Sequence, residues 1–171
     1  MAGYKPIILI AAMSRDRIIG NAQGNGMPWD VPEEFQHFLH LIHGQVVIMG
    51  RKSHEIFKGH MGGSRFVVLS RQALQLPPAI VCPDLESARI WAEKQDGSVF
   101  VAGGEEIYRL ALPHASRIFL STISGTYEGH AQFPILPELE WTMTKRVQHE
   151  RFIFEVYDRT SGHAGRGSIN Q

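Results

Sequence analysis

A series of short apolar runs constrains this chain more than any other feature. They are IILIAA at 7–12, VVIM at 46–49, FVVL at 66–69, AIVC at 79–82, VFVA at 99–102 and RIFLSTI at 117–123. Each is strand-length and rich in β-branched residues, with no polar alternation. A strand of that kind needs cover on both faces, so the runs predict a mostly parallel sheet. Helical stretches lie between them: 32–43 after Asp30, 85–93 after the candidate N-cap Asp84, and 105–111 after Gly103-Gly104. The order strand, helix, strand, strand, strand, helix, strand, helix, strand predicts an α/β domain. WTMTKRVQ (141–148) and RFIFEVYD (151–158) alternate more and read as an antiparallel hairpin added at the end. The expected domain is residues 1–160. Residues 161–171, with no apolar pattern, are expected to be a disordered tail.

At 171 residues the chain fits one domain. Folding would bury ~70% of the unfolded surface, which is enough for a core. The run at 7–13 falls well short of the ~20 residues a bilayer span needs, and no signal-peptide cleavage site follows it. Lys+Arg and Asp+Glu number 17 each, so nothing global drives the chain toward nucleic acid or an anionic membrane. The single cysteine, Cys82, forms no intrachain disulfide and reads as packing beside Pro83, which suits a reducing, cytoplasmic setting. The nine histidines show no HExxH spacing, and no metal site is expected.

The stretch MPWDVPEEFQHF (27–38) places two adjacent carboxylates among aromatic residues. Pro32 suits a first helical turn and Asp30 is placed to cap it. With Glu34 at zero and ~100° per residue, Phe38 falls near 40°, Val31 near 60°, Ile42 near 80° and Phe35 near 100°. Glu34 therefore lies within the apolar stripe, and Glu33 joins Gln36, His37 and His40 on the wet face. An inward carboxylate needs a partner or a raised pKa. Two readings follow: a structural buried acid paired with a hydroxyl or amide, or a carboxyl that binds the NH-rich edge of a ligand.

Three strands run into glycine-containing or cationic junctions: VVIMGRKS (46–53), VVLSR (67–71) and VFVAGGEEIY (99–108). Glycine admits close backbone approach, and the Arg, Lys and hydroxyl groups suit phosphate. No junction matches GxGxxG or GxxxxGK[ST]. Together, at strand C-termini of one sheet, they predict a crevice for a polyanionic ligand.

The segments IAAMSRDRIIG (10–20), MPWDVPEEF (27–35), VIMGRKS (47–53), VVLSR (67–71), VAGGEEIY (101–108) and EGHAQFP (128–134) together, in this order, resemble the dihydrofolate reductase family. The likeness runs from about residue 6 to 159. It implies a mostly parallel, twisted sheet of about eight strands flanked by helices. It also implies NADPH as cofactor and a small-molecule dihydropterin as substrate, acted on by a monomer. Glu34 matches the family's single active-site acid, which would hold the pterin 2-amino group and N3 and favour protonation at N5. Trp29 would order water beside it. Ala12, Phe35, Phe38, Phe57 and Met61 would wall the pterin and the ring beyond it, with Met27, Ala102, Tyr108, Ala131 and Arg65 as further substrate contacts. Segment 21–27 would be the loop closing over the nicotinamide. Gly50, Arg51, Lys52 and Ser53 would grip the pyrophosphate, and Ser70 and Arg71 the adenosine 2′-phosphate. Ala12, Ile19, Leu69, Glu105 and Ile107 would complete the cofactor surface beside Gly103 and Gly104, whose link resembles the family's cis Gly-Gly.

Two departures stand out. In GGSRFVVLS, Ser64 occupies the position of the family's tail-binding Arg, and Arg65 follows one residue later. A one-residue shift in a strand turns a side chain to the other face. In EGHAQFP, Ala131 stands where a Thr hydroxyl is expected to bond the acid, and His130 replaces an Asp. The reading is an NADPH-dependent reductase of 7,8-dihydrofolate. The alternatives are a reductase of a related dihydropterin with a different tail, such as a dihydromethanopterin, and a non-catalytic NADPH-binding protein on the same fold.

Overall fold

The computed structural model describes residues 3–20, 26–60 and 62–161. The expected apolar runs become strands: β1 (Ile7–Ser14), β3 (Val46–Gly50), β4 (Arg65–Leu69), β5 (Ile80–Cys82), β6 (Val99–Val101) and β7 (Ala115–Ile123). Two short segments that the runs did not announce, β2 (Ile18–Gly20) and β8 (Ala131–Gln132), pair as a separate ribbon. The terminal hairpin is β9 (Trp141–Gln148) and β10 (Phe152–Arg159). The main sheet has eight strands in the order β5-β4-β3-β6-β1-β7-β10-β9. From β5 through β7 every pairing is parallel, and β10 is antiparallel to both β7 and β9. The expected α/β class and sheet are borne out.

The helices are α1 (Pro32–Ile42), α2 (Arg51–Phe57), α3 (Leu85–Glu93) and α4 (Glu105–Ala111). Asp84 caps α3, its carboxylate accepting from the Ser87 amide at 2.7 Å. Asp30 does not cap α1: the N-cap is Val31, without a side-chain bond, and Pro32 opens the helix with no amide to satisfy. The element order in the sequence lacked α2, because seven residues of RKSHEIF carry too little apolar periodicity to announce a helix.

The centre of the sheet is fully covered. Ile7, Leu9, Val46, Ile48, Val67 and Val101 have no exposed surface. On one face α1 lays Phe38 and Ile42 over Ile10, Val47 and Phe100. On the other, Ala88 and Ala92 of α3 and Tyr108 and Ala111 of α4 cover Val67, Leu69 and Val99. The chain fills β3, β4 and β5 on one side of β1, returns as β6 into the gap between β3 and β1, then passes to β7 on the other side. That reversal leaves a crevice beyond the C-terminal ends of the parallel strands.

Candidate active site

Helical phase sets the first side chain. On α1, Glu34, Phe38 and Ile42 share one buried row, with Glu34 only 8% exposed, while Glu33 is exposed. Burial pushes the Glu34 carboxyl up to about 7 from its ordinary 4.5, and the neighbouring Ser121 hydroxyl opposes that rise. Ser121 is buried on β7, directly beside Ala12 of β1 and Phe154 of β10.

Ala131 brings no hydroxyl to the acid, and another group stands in for it. The hydroxyl that meets the acid comes from Ser121, while Ala131 sits in the small ribbon opposite Gly20. Ser121 was absent from the expected site residues. The signal for it was the serine after Ile118, Phe119 and Leu120 in RIFLSTI, a polar group that a two-sided buried strand does not carry without a partner.

Glu34 opens into a cavity of about 310 Å³ whose lining includes Met27, Trp29, Phe35 and Phe57 among the expected residues. Phe35 and Phe57 stack at 6.1 Å between centroids, and Phe38 lies against both at 6.2 and 5.6 Å. Trp29 is held by the edge of Tyr127 at 5.4 Å. The cavity is also lined by Asp30, Gln36, Ile56 and His60, which were not expected as substrate contacts. Ala12 packs with Trp29 and Tyr127. Ala102 is buried beside Phe38. Tyr108 is buried, donates its phenol to the Ile10 carbonyl at 2.7 Å, and lies close enough to Glu34 that the carboxylate adds to the upward pull of burial on the phenol. Met61 and residues 21–25 of the expected closing loop lie outside the described residues, as does the tail from residue 162.

Arg65 does not reach the cavity. Its guanidinium donates to the carbonyls of Gly44 (2.9 Å) and Asp96, at the N-terminal end of β4. The one-residue shift from Ser64 turned the side chain away, and Ser64 spends its hydroxyl on the Ile42 carbonyl at 2.9 Å.

The second half of the crevice lies where β3, β4 and β6 end. The Gly50 amide donates to the Gly103 carbonyl at 2.8 Å, tying the two junctions together. The Gly103-Gly104 peptide is cis, and Gly103 has φ +106°, a region that favours glycine. A Cβ on Gly103 would come within 3.1 Å of Ser53 Oγ and 3.4 Å of the Tyr108 ring, and one on Gly50 within 3.2 Å of Ile107. These glycines leave a backbone-lined cradle that a side chain would fill. Arg51, Lys52 and Arg71 are exposed around it and join no ion pair among the described residues. Ser70, half-buried at the end of β4, accepts from the Gln72 amide at 3.1 Å. Ile19 and Leu69 are buried in the core cluster of this side. Glu105 turns its carboxylate to Arg109 at 3.3 Å. A glycine cradle with three free cations and two hydroxyls around it fits a dinucleotide carrying an additional phosphate. Among the described residues no group of three or more His, Cys, Asp or Glu is placed to hold a metal ion. Nor, among them, is any helix long and apolar enough to cross a membrane.

Comparison with known proteins points to one family. The family model described as Dihydrofolate reductase matches residues 6–160. The Escherichia coli protein named Dihydrofolate reductase type A13 is 38% identical over 160 residues, covering 91% of this chain and 96% of that protein. Dihydrofolate reductase HdrB of Haloferax volcanii is 32% identical, covering 89% and 82%. Among solved structures, an Enterococcus faecalis dihydrofolate reductase complexed with NADP(H) and RAB-propyl superposes with a TM-score of 0.81 over 90% of this chain and 96% of that one. At 21% identity that likeness speaks to the fold.

Proposed function

The chain belongs to the dihydrofolate reductase family, and from that membership we infer that it reduces 7,8-dihydrofolate to tetrahydrofolate with NADPH. When bound, NADPH supplies the hydride that arrives at C6 of the pterin. The work of the chain is to bind, orient and manage a proton. Glu34 is the acid we assign to the pterin 2-amino group and N3. With a pKa near 7 it is half-protonated at neutral pH, so it can donate a hydrogen bond or hold a proton on the ring system as N5 becomes basic. The Ser121 hydroxyl beside the carboxyl favours its charged form. Trp29, fixed by Tyr127, is assigned to the water beside the acid. The Phe35–Phe57 pair offers a flat wall to the planar substrate. Gly50, Arg51, Lys52 and Ser53 are assigned to the cofactor pyrophosphate, and Ser70 and Arg71 to the 2′-phosphate.

A single observation carries this reading: a buried carboxyl with a raised pKa, in an aromatic cavity beside a glycine-and-cation cradle. The test is Glu34→Gln. It should cut hydride transfer by about 10²-fold or more at pH 7, where general-acid help is worth that much. Glu33→Gln, on the wet face, should change it little. Equal losses would contradict the assignment. In the wild type, kcat/KM should fall as pH rises through about 7, because the acid loses its proton there. Glu34→Gln should flatten that limb. We further propose a monomer working in the cytoplasm, in keeping with the single buried Cys82, and light scattering on the purified chain checks its mass.

A further inference from the structure

We propose that this chain recognises its substrate by the pterin head and the flat ring beyond it, not by an anionic tail, and that it therefore also reduces 7,8-dihydropterins whose tails carry no carboxylate. This rests on the reductase reading above. The carboxylates lining the cavity are Asp30 and Glu34, and its lining among the described residues includes no lysine or arginine. With Glu34 assigned to the pterin head, a tail carboxylate in this space passes Asp30 and meets no permanent cation among the described lining residues. The nearby cations and hydroxyl have partners of their own, and the amide in the lining, Gln36, is an uncharged donor. Arg65 holds the Gly44 and Asp96 carbonyls, Ser64 holds the Ile42 carbonyl at 2.9 Å, and Lys58 lies on Glu55 at 3.1 Å. The imidazole in the lining, His60, presents itself edge-on to Phe35 at 5.4 Å, as an aromatic wall element. By contrast the stacked Phe35–Phe57 pair suits any flat, uncharged ring. A site built around a charged contact discriminates strongly against a ligand lacking the charge, and no such contact is built here.

The test compares 7,8-dihydrofolate with its analogue in which both tail carboxylates are amidated, using the full chain and saturating NADPH. The two kcat/KM values should lie within about fivefold, against the roughly tenfold or more that loss of a charge-assisted contact costs. His60→Gln should leave their ratio unchanged. A preference for dihydrofolate above that bound overturns the inference, as does a His60→Gln variant that loses dihydrofolate selectively, since it would identify the imidazole as an anion partner. Turnover of dihydrofolate alone removes only this inference. Turnover of neither substrate removes the reductase reading with it.

Discussion

Two adjacent glutamates differ here by one helical step and therefore in everything else. Glu33 is solvated, whereas Glu34 is buried and its carboxyl titrates near 7. Its protonated form is favoured by the fold, so its contribution to stability is fully present below about 4.5 and is lost as pH rises from there through about 7. The loss amounts to about 3 kcal/mol. Glu34→Gln removes it, so the variant should gain thermal stability over the wild type at pH 8 and gain little at pH 4, as calorimetry at both values would read. A function that needs this acid thus keeps a destabilised group in the core. Ser121 is the counterweight, because its hydroxyl is the contact that lowers the pKa of Glu34. Ser121→Ala should shift the alkaline limb of kcat/KM to higher pH and weaken substrate orientation. If the limb stays where it is, Ser121 does not tune the acid.

Among the elements, α1 carries the site on one side and a histidine contact on the other. The hairpin β9–β10 closes over the supposed wet face of α1. His37 meets Phe154 edge-on at 4.4 Å and lies 5.8 Å from His149, which stacks on Phe152 at 4.2 Å. His37 is therefore half-buried, not solvated as helical phase alone suggested, because the strand that covers it comes from the far end of the chain. Burial, then the nearby His149, His40 and Lys145, hold the His37 pKa below its ordinary 6.5. The neutral form is favoured in the fold, so this contribution is intact above 6.5 and is lost as pH falls below it. His37→Leu should reduce the drop in melting temperature between pH 7 and pH 5. An unchanged drop would mean that this contact does not report pH. The short α2 makes the complementary point: seven residues hold a helix because β3 ends in Gly50 and the chain must turn back over the sheet toward β4.

Over the whole molecule, the return of β6 between β3 and β1 makes one crevice out of segments far apart in sequence. Arg51 and Lys52 after β3, Arg71 after β4 and the Gly103-Gly104 link after β6 reach it from three strand ends. Arg71→Ala should raise KM for NADPH by roughly tenfold or more, the loss expected for a charge-assisted phosphate contact, and leave KM for NADH nearly unchanged. Equal effects on both cofactors would place Arg71 elsewhere. Apolar runs, turn residues and the phase of α1 are local properties, so the strands of the main sheet, three of the helices, the glycine junctions and the inward turn of Glu34 were legible in the residues themselves. What meets Glu34 was not. Its hydroxyl comes from Ser121, 87 residues later (121 − 34), on a strand whose neighbours are set by the sheet. The shift of Arg65 argued against its reaching the substrate, but did not tell where it would go, which is to carbonyls of two distant turns. His37 looked wet and is covered by the terminal hairpin. Periodicity determines which way a side chain leaves its own element. Only strand order and packing decide which group it finds there, because those contacts join residues that the chain itself keeps apart.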